Sequence, residues 1–459
     1  MFNPGSFRDP AGRIIENDGR VYRLIFEAGA QSFAKATDAG IFARYAASGM
    51  MLPAQEVALD ALPFDTFGAK QAIEHPRIPF FSYPYEWCFS QLKAAALLHL
   101  DLQLNLLSED FTLSDATAYN IQFIGTRPVF IDHLSVIPYR PGMLWSGQRQ
   151  FAMQFLNPLL MWSKLSVAPN AWFRGGLEGI PPEDMNRILR LRDKLSFTVA
   201  AHVVAQAKVH ASAIQRGARN AKGVSASLSK SRFAAILQAL RVFVAKLELE
   251  GDKSVWSNYA DDNSYEVAER TEKQSFVAEF AKSTQPALLF DLGCNTGDYS
   301  LEALNAGAGS VIGFDFDYGA IEKAFARFKG SDHSFTPLWL DAANPSPSLG
   351  WAERERQGFA DRAHPDALIA LALVHHIAIT RNVPLDMVLD WLVSIAPAGI
   401  IEFPNKDDEM VQTLLSQRGD IFPGYSLEAF LGLMAERARI VRTQTLSGGT
   451  RTLLWYDQA

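Results

Sequence analysis

The sequence predicts an α/β domain with a parallel, doubly wound sheet in its C-terminal part, preceded by an α+β region and a helical linker. Two observations carry this prediction. From residue 285 onward, short apolar strand patterns alternate with helical patterns, as βα units require. Before that point a hairpin pattern comes first and long helical patterns follow it. A chain of 459 residues is too long for one ordinary core, so more than one domain is expected.

The C-terminal region shows five strand patterns and then a terminal hairpin. The fourth pattern is almost wholly apolar, as a central parallel strand covered on both faces should be. A helix is expected from Thr296 to about Asn305, and a second helix ends at Gly330. The chain closes with "RIVRTQTL", the turn "SGG" and "TRTLLWY", which predict a hairpin that adds an antiparallel edge strand. The five strand patterns are "PALLFDL", "SVIGFD", "SFTPLWL", "DALIALALV" and "AGIIEF".

The rest of the chain divides into two further regions. Near the N-terminus, "GRIIENDGRVYRLI" predicts two short strands joined at Asn17, Asp18 and Gly19, a strong hairpin pattern. Further on, "SRFAAILQALRVFVAKLEL" places Phe233, Ile236, Leu237, Leu240, Val244 and Leu247 on one helical stripe. We therefore predict three parts: an N-terminal α+β domain at 1–140, a helical linker at 141–252 and the α/β domain at 253–459.

Composition and charge exclude several classes of protein. A net charge of −7 argues against a dedicated nucleic-acid binder. Between residues 215 and 232 lie five basic residues and no acid, which we interpret as a solvated linker, with nucleic-acid or phosphate contact as the alternative. Two cysteines are too few for a disulfide framework, and the histidines form no ligand-spaced cluster, so no metal is predicted. With no signal-peptide pattern and no apolar run of about 18 residues, we expect a cytoplasmic protein that does not engage a membrane.

The stretch "FDLGCNTGDYS", residues 290–300, joins the first C-terminal strand to its helix. A turn at this place brings backbone N–H groups and the helix N-terminus to a ligand. The dinucleotide fingerprint G-x-G-x-x-G does not fit, because Asn295 follows Gly293 at the middle position and Gly297 comes one place early. Asparagine is among the few residues besides glycine that tolerate a left-handed backbone, so Asn295 can fill that position.

This loop, preceded by Asp-Leu, resembles motif I of class I S-adenosylmethionine (SAM) methyltransferases. Asp315 ends the second strand, where a carboxylate can accept hydrogen bonds from the ribose hydroxyls. Asp341 ends the third strand, where the family uses an acid to accept a hydrogen bond from the adenine amine. The alternative is an α/β domain with coincidental acids. The resemblance implies a Rossmann-like seven-stranded domain and SAM as cofactor. It also implies a packing role for Cys294, because the family often has cysteine at this position. The implied cofactor-binding residues are Asp291, Gly293, Cys294, Asn295, Thr296, Gly297, Asp315, Phe316, Asp341, Ala342, Val374, Tyr259 and Tyr265.

Two longer stretches carry a closer resemblance. "LALVHHIAITRNVPLDMVLDWL" and "IEFPNKDDEMVQTLLSQRGDIFPGYSLEAF" look like the methyltransferases grouped with the nodulation protein NoeA. The likeness covers about residues 254–459, and the opening "FRDPAGRIIENDGRVYR" is also similar to that group. Because the substrate is poorly defined in the group, the resemblance does not supply a methyl acceptor.

Candidate catalytic residues follow the fourth and fifth strands. His375 and His376 come where the ligand crevice of an α/β sheet lies, and Glu402 stands in "IIEF". A general base is needed only if the acceptor must lose a proton. One histidine of the pair is expected to face the site, and packing against the cofactor or capping of the next helix is the alternative role.

Aromatic residues before the first strand are further candidates. Segments at this place often fold over the donor in class I methyltransferases, and aromatic faces attract a sulfonium cation. Trp256, Tyr259, Tyr265 and Lys273 could act in this way. Ordinary packing of a linker helix is the other interpretation.

A second set of residues lies in the N-terminal region. Asp115 and Asn120 have the D-x-x-x-x-N spacing of a kinase catalytic loop, and Asp132 follows after two apparent strands. The region therefore resembles a degenerate kinase or aminoglycoside phosphotransferase. It departs from that pattern because Leu113 replaces the catalytic-loop histidine and Leu134 replaces the glycine after the metal-binding acid.

Together these patterns predict a cytoplasmic SAM-dependent methyltransferase with a small-molecule acceptor and no nucleic-acid partner. A phosphotransferase that uses the N-terminal acids and a non-catalytic SAM-binding scaffold are the alternatives. The sequence names neither the methylated atom nor the oligomeric state.

Overall fold

The computed structural model describes residues 2–209, 227–249 and 264–458, without the side chains of 264–266, 417 and 418. Its described residues form two units. The first unit is drawn from 1–123, 128–252 and 349–356, and the second from 124–127, 253–348 and 357–459. The three-part division inferred from the sequence stays a prediction. Most of the basic stretch 215–232 lies outside the described residues.

The first unit begins with an antiparallel sheet in the order β1-β2-β4-β3. The predicted hairpin is confirmed, because Asn17 pairs with Arg20 and the two residues between them, Asp18 and Gly19, have φ of +47° and +75°. Two successive positive φ values give a turn whose twist matches that of the flanking strands. The strands are β1 (Gly12–Asn17), β2 (Arg20–Ile25), β3 (Gln55–Val57) and β4 (Gln71–His75).

Helices and short strand pairs make up the remainder of the N-terminal part. The strands are β5 (Phe111–Leu113), β6 (Ile121–Ile124), β7 (Arg127–Phe130) and β8 (Val136–Pro138), in the pairs β5-β8 and β6-β7. The helices are α1 (Glu27–Asp38), α2 (Ile41–Ala47), α3 (Phe89–Ser108), α4 (Gln148–Phe151), α5 (Asn157–Leu165), α6 (Asn170–Gly175), α7 (Pro182–Ile188), α8 (Phe197–Val199) and α9 (Lys230–Ala245).

The apolar stripe predicted around α9 is largely confirmed. Phe233, Leu237, Leu240 and Val244 are buried along the helix, and Leu247 is buried just after it. Ile236 is the exception, since it is 38% exposed. Ile236 lies at the edge of the stripe, where the helix surface turns towards solvent, and this position explains its exposure.

The second unit is built on a seven-stranded sheet in the order β11-β10-β9-β12-β13-β15-β14. The first five of these pair in parallel. The central strands are buried on both faces, which explains their unbroken apolar sequence. The strands are β9 (Leu288–Leu292), β10 (Ser310–Asp315), β11 (Phe335–Trp339), β12 (Ala367–Ala370), β13 (Ala398–Pro404), β14 (Arg439–Thr445) and β15 (Arg451–Asp457).

Helices follow most of these strands. They are α10 (Ser264–Thr284), α11 (Asp298–Asn305), α12 (Tyr318–Phe328), α13 (Phe359–Arg362), α14 (Leu385–Ile395), α15 (Glu409–Arg418) and α16 (Leu427–Ala435). Within the described ranges, every helix is too short or too polar to span a bilayer.

The terminal hairpin is confirmed, but its arrangement differs from the expectation. The antiparallel strand is β15, and it lies inside the sheet between β13 and β14, not at its edge. The apolar "TLLWY" of β15 is mostly buried, whereas the polar β14 is mostly exposed. The more apolar strand therefore takes the interior position, and the chain doubles back to place its polar partner at the edge.

Candidate functional site

The loop after β9 has the conformation predicted from its sequence. Gly293, Asn295 and Gly297 have φ of +85°, +48° and +82°. The left-handed assignment of Asn295 is thus confirmed. Because Gly297 is also left-handed, α11 begins at Asp298 and not at Thr296, as expected from the sequence.

The loop is held against the next strand by its backbone. The N–H groups of Gly293 and Cys294 both donate to the carbonyl oxygen of Phe314, at 2.8 and 3.0 Å. The absence of a side chain at Gly313 permits this approach, because a Cβ there would lie 2.8 Å from Cys294 Sγ. Burial raises the pKa of the Cys294 thiol well above its usual range, so the thiol stays neutral. This agrees with a packing role for Cys294 and not a nucleophilic one.

Two carboxylates lie at the loop, in different environments. Asp291 is buried and accepts from the Ser300 hydroxyl at 2.6 Å, and burial raises its pKa to about 7. Asp315 ends β10, where Oδ2 accepts from the Asn295 N–H and Oδ1 from the Asp317 N–H, each at 2.9 Å. Burial raises the Asp315 pKa to about 6, although the two N–H donors lower it. Asp315 therefore joins the loop to the end of the neighbouring strand.

Aromatic side chains surround the end of β10. Phe316 is 50% exposed, and its carbonyl oxygen accepts from Trp339 Nε1 at 2.8 Å. The Trp339 ring stacks on Tyr318, with centroids 5.2 Å apart and planes 7° from parallel. The arrangement leaves a large apolar side chain at the surface directly after Asp315.

Asp341 lies two residues beyond the end of β11 and is already engaged. Its Oδ2 is 2.9 Å from a nitrogen of Arg381, and its Oδ1 accepts from the Ala343 N–H at 3.0 Å. Ala342, the next residue in the chain, is partly buried. A hydrogen bond from an adenine amine to Asp341 would therefore compete with Arg381, a partner that the sequence did not suggest.

The segment after β12 differs from the sequence-based expectation. The strand ends at Ala370, so Val374, His375 and His376 do not continue it, and both histidines have helical backbones after a short loop. Within that loop, Ala372 has φ of +49°, which is costly for a residue with a Cβ. Its N–H donates to Glu402 Oε2 at 2.9 Å.

The two histidines have unequal exposure. His375 is 1% exposed, and its Nδ1 has no hydrogen-bond partner among the described residues. Burial, the neighbouring His376 and Arg451 together hold its pKa well below the usual range. His376 is partly exposed, its pKa is also lowered by burial, and its ring centroid lies 4.2 Å from that of His375. Both imidazoles are therefore neutral at neutral pH.

Glu402 belongs to a buried ion network. Its Oε1 lies 2.7 Å from Lys273 Nζ and 3.1 Å from Arg451 NH1, and Arg451 also binds Asp408. Burial alone raises the pKa of Glu402, but Lys273 and Arg451 outweigh it and lower the pKa to about 2. A carboxylate with this pKa, and with no exposure, is a poor proton acceptor. We therefore revise the interpretation of Glu402 from a candidate base to a positioning residue for the loop at Ala372.

The ammonium of Lys273, a candidate for contact with the donor, pairs with Glu402, and its place beside the donor stays a prediction. Arg451 was missed, although a basic residue at the start of the apolar strand β15 was a clue. Trp256 and Tyr259 lie outside the described residues. Tyr265 lies in α10, but its side chain is outside the described part of the structure.

The N-terminal set of Asp115, Asn120 and Asp132 does converge. Asn120 Nδ2 is 3.2 Å from both carboxylate oxygens of Asp115 and 3.4 Å from Asp132 Oδ2. Arg23, from β2, forms an ion pair with Asp132. Burial and the charge of Asp132 raise the pKa of Asp115. In the described part of the chain, no group of three or more His, Cys, Asp or Glu side chains is placed to hold a metal ion.

The sheet order and the loop together define a doubly wound, Rossmann-like α/β domain. No protein-family model matches the chain. The nodulation protein NoeA of Rhizobium meliloti (strain 1021) is 43% identical to it over 457 residues, which cover 99% of this chain and 96% of NoeA. The chain belongs to the NoeA family.

Two solved structures each resemble less than half of the chain. The magnesium protoporphyrin IX methyltransferase ChlM from Synechocystis PCC 6803, with bound SAH, is 21% identical with a TM-score of 0.32, covering 44% of this chain and 91% of its own. The N-methyltransferase NodS from Bradyrhizobium japonicum WM9, in complex with S-adenosyl-l-homocysteine, is 13% identical with a TM-score of 0.32, covering 45% and 93%.

Proposed function

We propose that this chain is a class I SAM-dependent methyltransferase that acts on a small-molecule acceptor. The observation that supports the proposal most is the left-handed loop at Gly293, Asn295 and Gly297, bonded through Asn295 N–H to the carboxylate of Asp315. Two of its turning positions carry no side chain, so a ligand can approach the backbone there. The neighbouring carboxylate is at the place where a ribose diol is bound in related folds.

The residues at the loop fit the proposed cofactor. A pKa of about 6 leaves Asp315 mostly ionised at neutral pH, so it can accept from two hydroxyls. The half-exposed ring of Phe316 offers an apolar surface beside it. When bound, SAM supplies an activated methyl group whose leaving group needs no acid catalysis. The protein's main task is then to align the acceptor with the methyl group and to exclude water.

The two histidines are proposed to serve the acceptor. A neutral imidazole can accept a hydrogen bond from an acceptor N–H or O–H group and so orient it, and the lowered pKa values of His375 and His376, which make both weak bases, keep both neutral. The buried Nδ1 of His375 has no hydrogen-bond partner among the described residues, and Glu402 holds the segment before both histidines through its bond to the Ala372 N–H. The proposed acceptor is thus one that loses a proton from nitrogen or oxygen on methylation.

Calorimetry with SAM tests the proposal. Binding to the wild-type chain and at least tenfold weaker binding to Asp315→Ala are expected. Asp366→Ala is the matched control, because Asp366 accepts from the Leu288 N–H at 2.9 Å at the opposite, amino ends of the strands. No SAM binding by the wild type, or equal loss in both variants, would contradict the assignment.

A nucleotide-dependent phosphotransferase is a second candidate, favoured by the convergence of Asp115, Asn120 and Asp132. In phosphotransferases an acid orients the acceptor hydroxyl, and an Asn and a later Asp hold magnesium together with the phosphates. Here Asp132 forms an ion pair with Arg23, and this ion pair would have to break before Asp132 could bind magnesium. ATP turnover that Asp115→Ala abolishes would establish this activity, and the absence of ATP-magnesium binding would remove it.

We also infer a cytoplasmic location. It is supported by Cys88 and Cys294, which are both buried and form no disulfide, as is usual in a reducing compartment. Quantitative fractionation of cells that produce the chain tests this inference, and recovery from the periplasm would contradict it.

A further inference from the structure

The most exposed large apolar side chains of the described residues lie close together in the first unit. Leu191, Leu195 and Phe197 are 82%, 85% and 83% exposed, whereas the next most exposed, Trp351, reaches 72%. Ile188, 39% exposed, precedes them. Three such side chains within seven residues differ from the scattered exposed apolar residues that any protein has, and a grouped set of this kind marks an interaction surface.

The exposure does not come from a lack of packing in this part of the chain. Met185, Leu189 and Val199, which flank and interrupt the exposed residues, are 0%, 4% and 1% exposed. Arg190 also donates a hydrogen bond to the carbonyl oxygen of Lys164 in α5. The segment is therefore anchored to the fold, while Leu191, Leu195 and Phe197 extend into solvent.

Basic residues alternate with the exposed apolar ones. Residues 187–209 hold five basic residues and one acidic residue, in a chain whose net charge is −7. Arg187, Arg190 and Arg192 have side-chain exposures of 77%, 45% and 67%. The Arg187–Asp184 pair is at the surface and adds little free energy, and Arg192 lies 4.0 Å from Asp193, so these two guanidinium groups can exchange their partners for other anions.

We propose that residues 187–197, the basic-apolar segment, bind the surface of an anionic lipid bilayer. Leu191, Leu195 and Phe197 enter the boundary between headgroups and acyl chains, and the basic residues contact anionic headgroups. The segment has one aromatic residue, whereas single-stranded nucleic acid is held by several aromatic stacking partners, so a bilayer fits better. A second copy of the segment fits poorly because the two would repel each other. The proposal is independent of the methyltransferase assignment.

Flotation of the full chain with lipid vesicles tests the proposal. We expect binding to phosphatidylcholine vesicles that contain phosphatidylglycerol and much weaker binding to phosphatidylcholine alone. The variant Leu191→Ser/Leu195→Ser/Phe197→Ser should lose at least tenfold in binding. Neutralising Arg192 and Lys194 to Gln should cost roughly fivefold for each charge at low salt.

A matched control variant carries Met387→Ser, Ile421→Ser and Val441→Ser, which remove exposed apolar side chains of the second unit. It should bind vesicles like the wild type, and thermal melts should show that both triple variants fold. The proposal would be overturned if the wild type did not bind anionic vesicles. It would also be overturned if the two triple variants bound these vesicles equally well. Selective binding of single-stranded RNA, or a dimer that is lost in the segment variant without any vesicle binding, would overturn it too.

Insertion can be read directly at Leu195. Because Cys88 and Cys294 are buried, Leu195→Cys can be labelled selectively with an environment-sensitive fluorophore. A blue shift on addition of anionic vesicles is expected at this position and not for Ile421→Cys. No shift at Leu195→Cys would contradict insertion.

Discussion

The conformation of Asn295 gives a prediction that separates loop shape from side-chain chemistry. Its φ of +48° is tolerated by asparagine and glycine but is strongly disfavoured for a β-branched residue. Its N–H, and not its side chain, donates to Asp315. Asn295→Gly should therefore preserve SAM binding, whereas Asn295→Val should impair it while keeping the same N–H donor.

The magnitude follows from the cost of a left-handed backbone. For a residue with a Cβ this cost is roughly 1–2 kcal/mol, and valine lacks the local hydrogen bonds that offset it for asparagine. If Asn295→Val keeps the loop in place, the cost appears as lost folding stability. If the loop relaxes, the cost appears as weaker binding, by about 5- to 30-fold, since 1.4 kcal/mol is tenfold.

Calorimetry with SAM and chemical denaturation, applied to both variants, measure the two parts together. Their sum for Asn295→Val should reach about 1–2 kcal/mol. Asn295→Gly should show at most a small loss of stability from added chain entropy. Equal binding and equal stability for both variants would refute the reasoning, because residue 295 would then not require a left-handed backbone for donor binding.

Three further predictions concern charged groups of the second unit. Glu402→Gln removes the carboxylate that pairs with Lys273 and leaves Arg451 paired with Asp408 alone, so it should destabilise the fold by about 3–5 kcal/mol in denaturation, whereas the control Glu428→Gln should have little effect. Because burial raises the folded-state pKa of Asp291 to about 7, the free energy of unfolding should fall as pH rises from about 4 to 7. Asp291→Asn should flatten this dependence of stability on pH. An unchanged dependence in the variant would refute the pKa assignment. In calorimetry, Arg381→Ala should strengthen SAM binding slightly, because it frees Asp341, and Asp341→Ala should weaken it. If both variants weakened SAM binding, the intact ion pair and not the freed carboxylate would be what binding requires.

Local backbone features were predictable because a few residues determine them. The hairpin at Asp18 and Gly19 and the left-handed turn at Asn295 depend on which side chains tolerate positive φ. The position of Asp315 at a strand end followed from a strand pattern that ends in an acid. The convergence of Asp115, Asn120 and Asp132 was anticipated by their spacing.

Features that depend on long-range pairing were not predictable. The interior position of β15 requires a choice among sheet orders that one strand's own sequence does not make. The loop that follows the early end of β12 bonds through the Ala372 N–H to Glu402, thirty residues away. The low pKa of Glu402 results from Lys273 and Arg451, which precede and follow it by more than forty residues and meet it only in the folded sheet. For the same reason the exposure of Leu191 and Leu195 became evident only in three dimensions.

A crystal structure of the chain with S-adenosylhomocysteine is the most direct test of the proposed function. The account predicts ligand density along residues 293–297, with the ribose hydroxyls within hydrogen-bond distance of Asp315. Density only at the Asp115 and Asp132 cluster, or no density at saturating ligand, would contradict it.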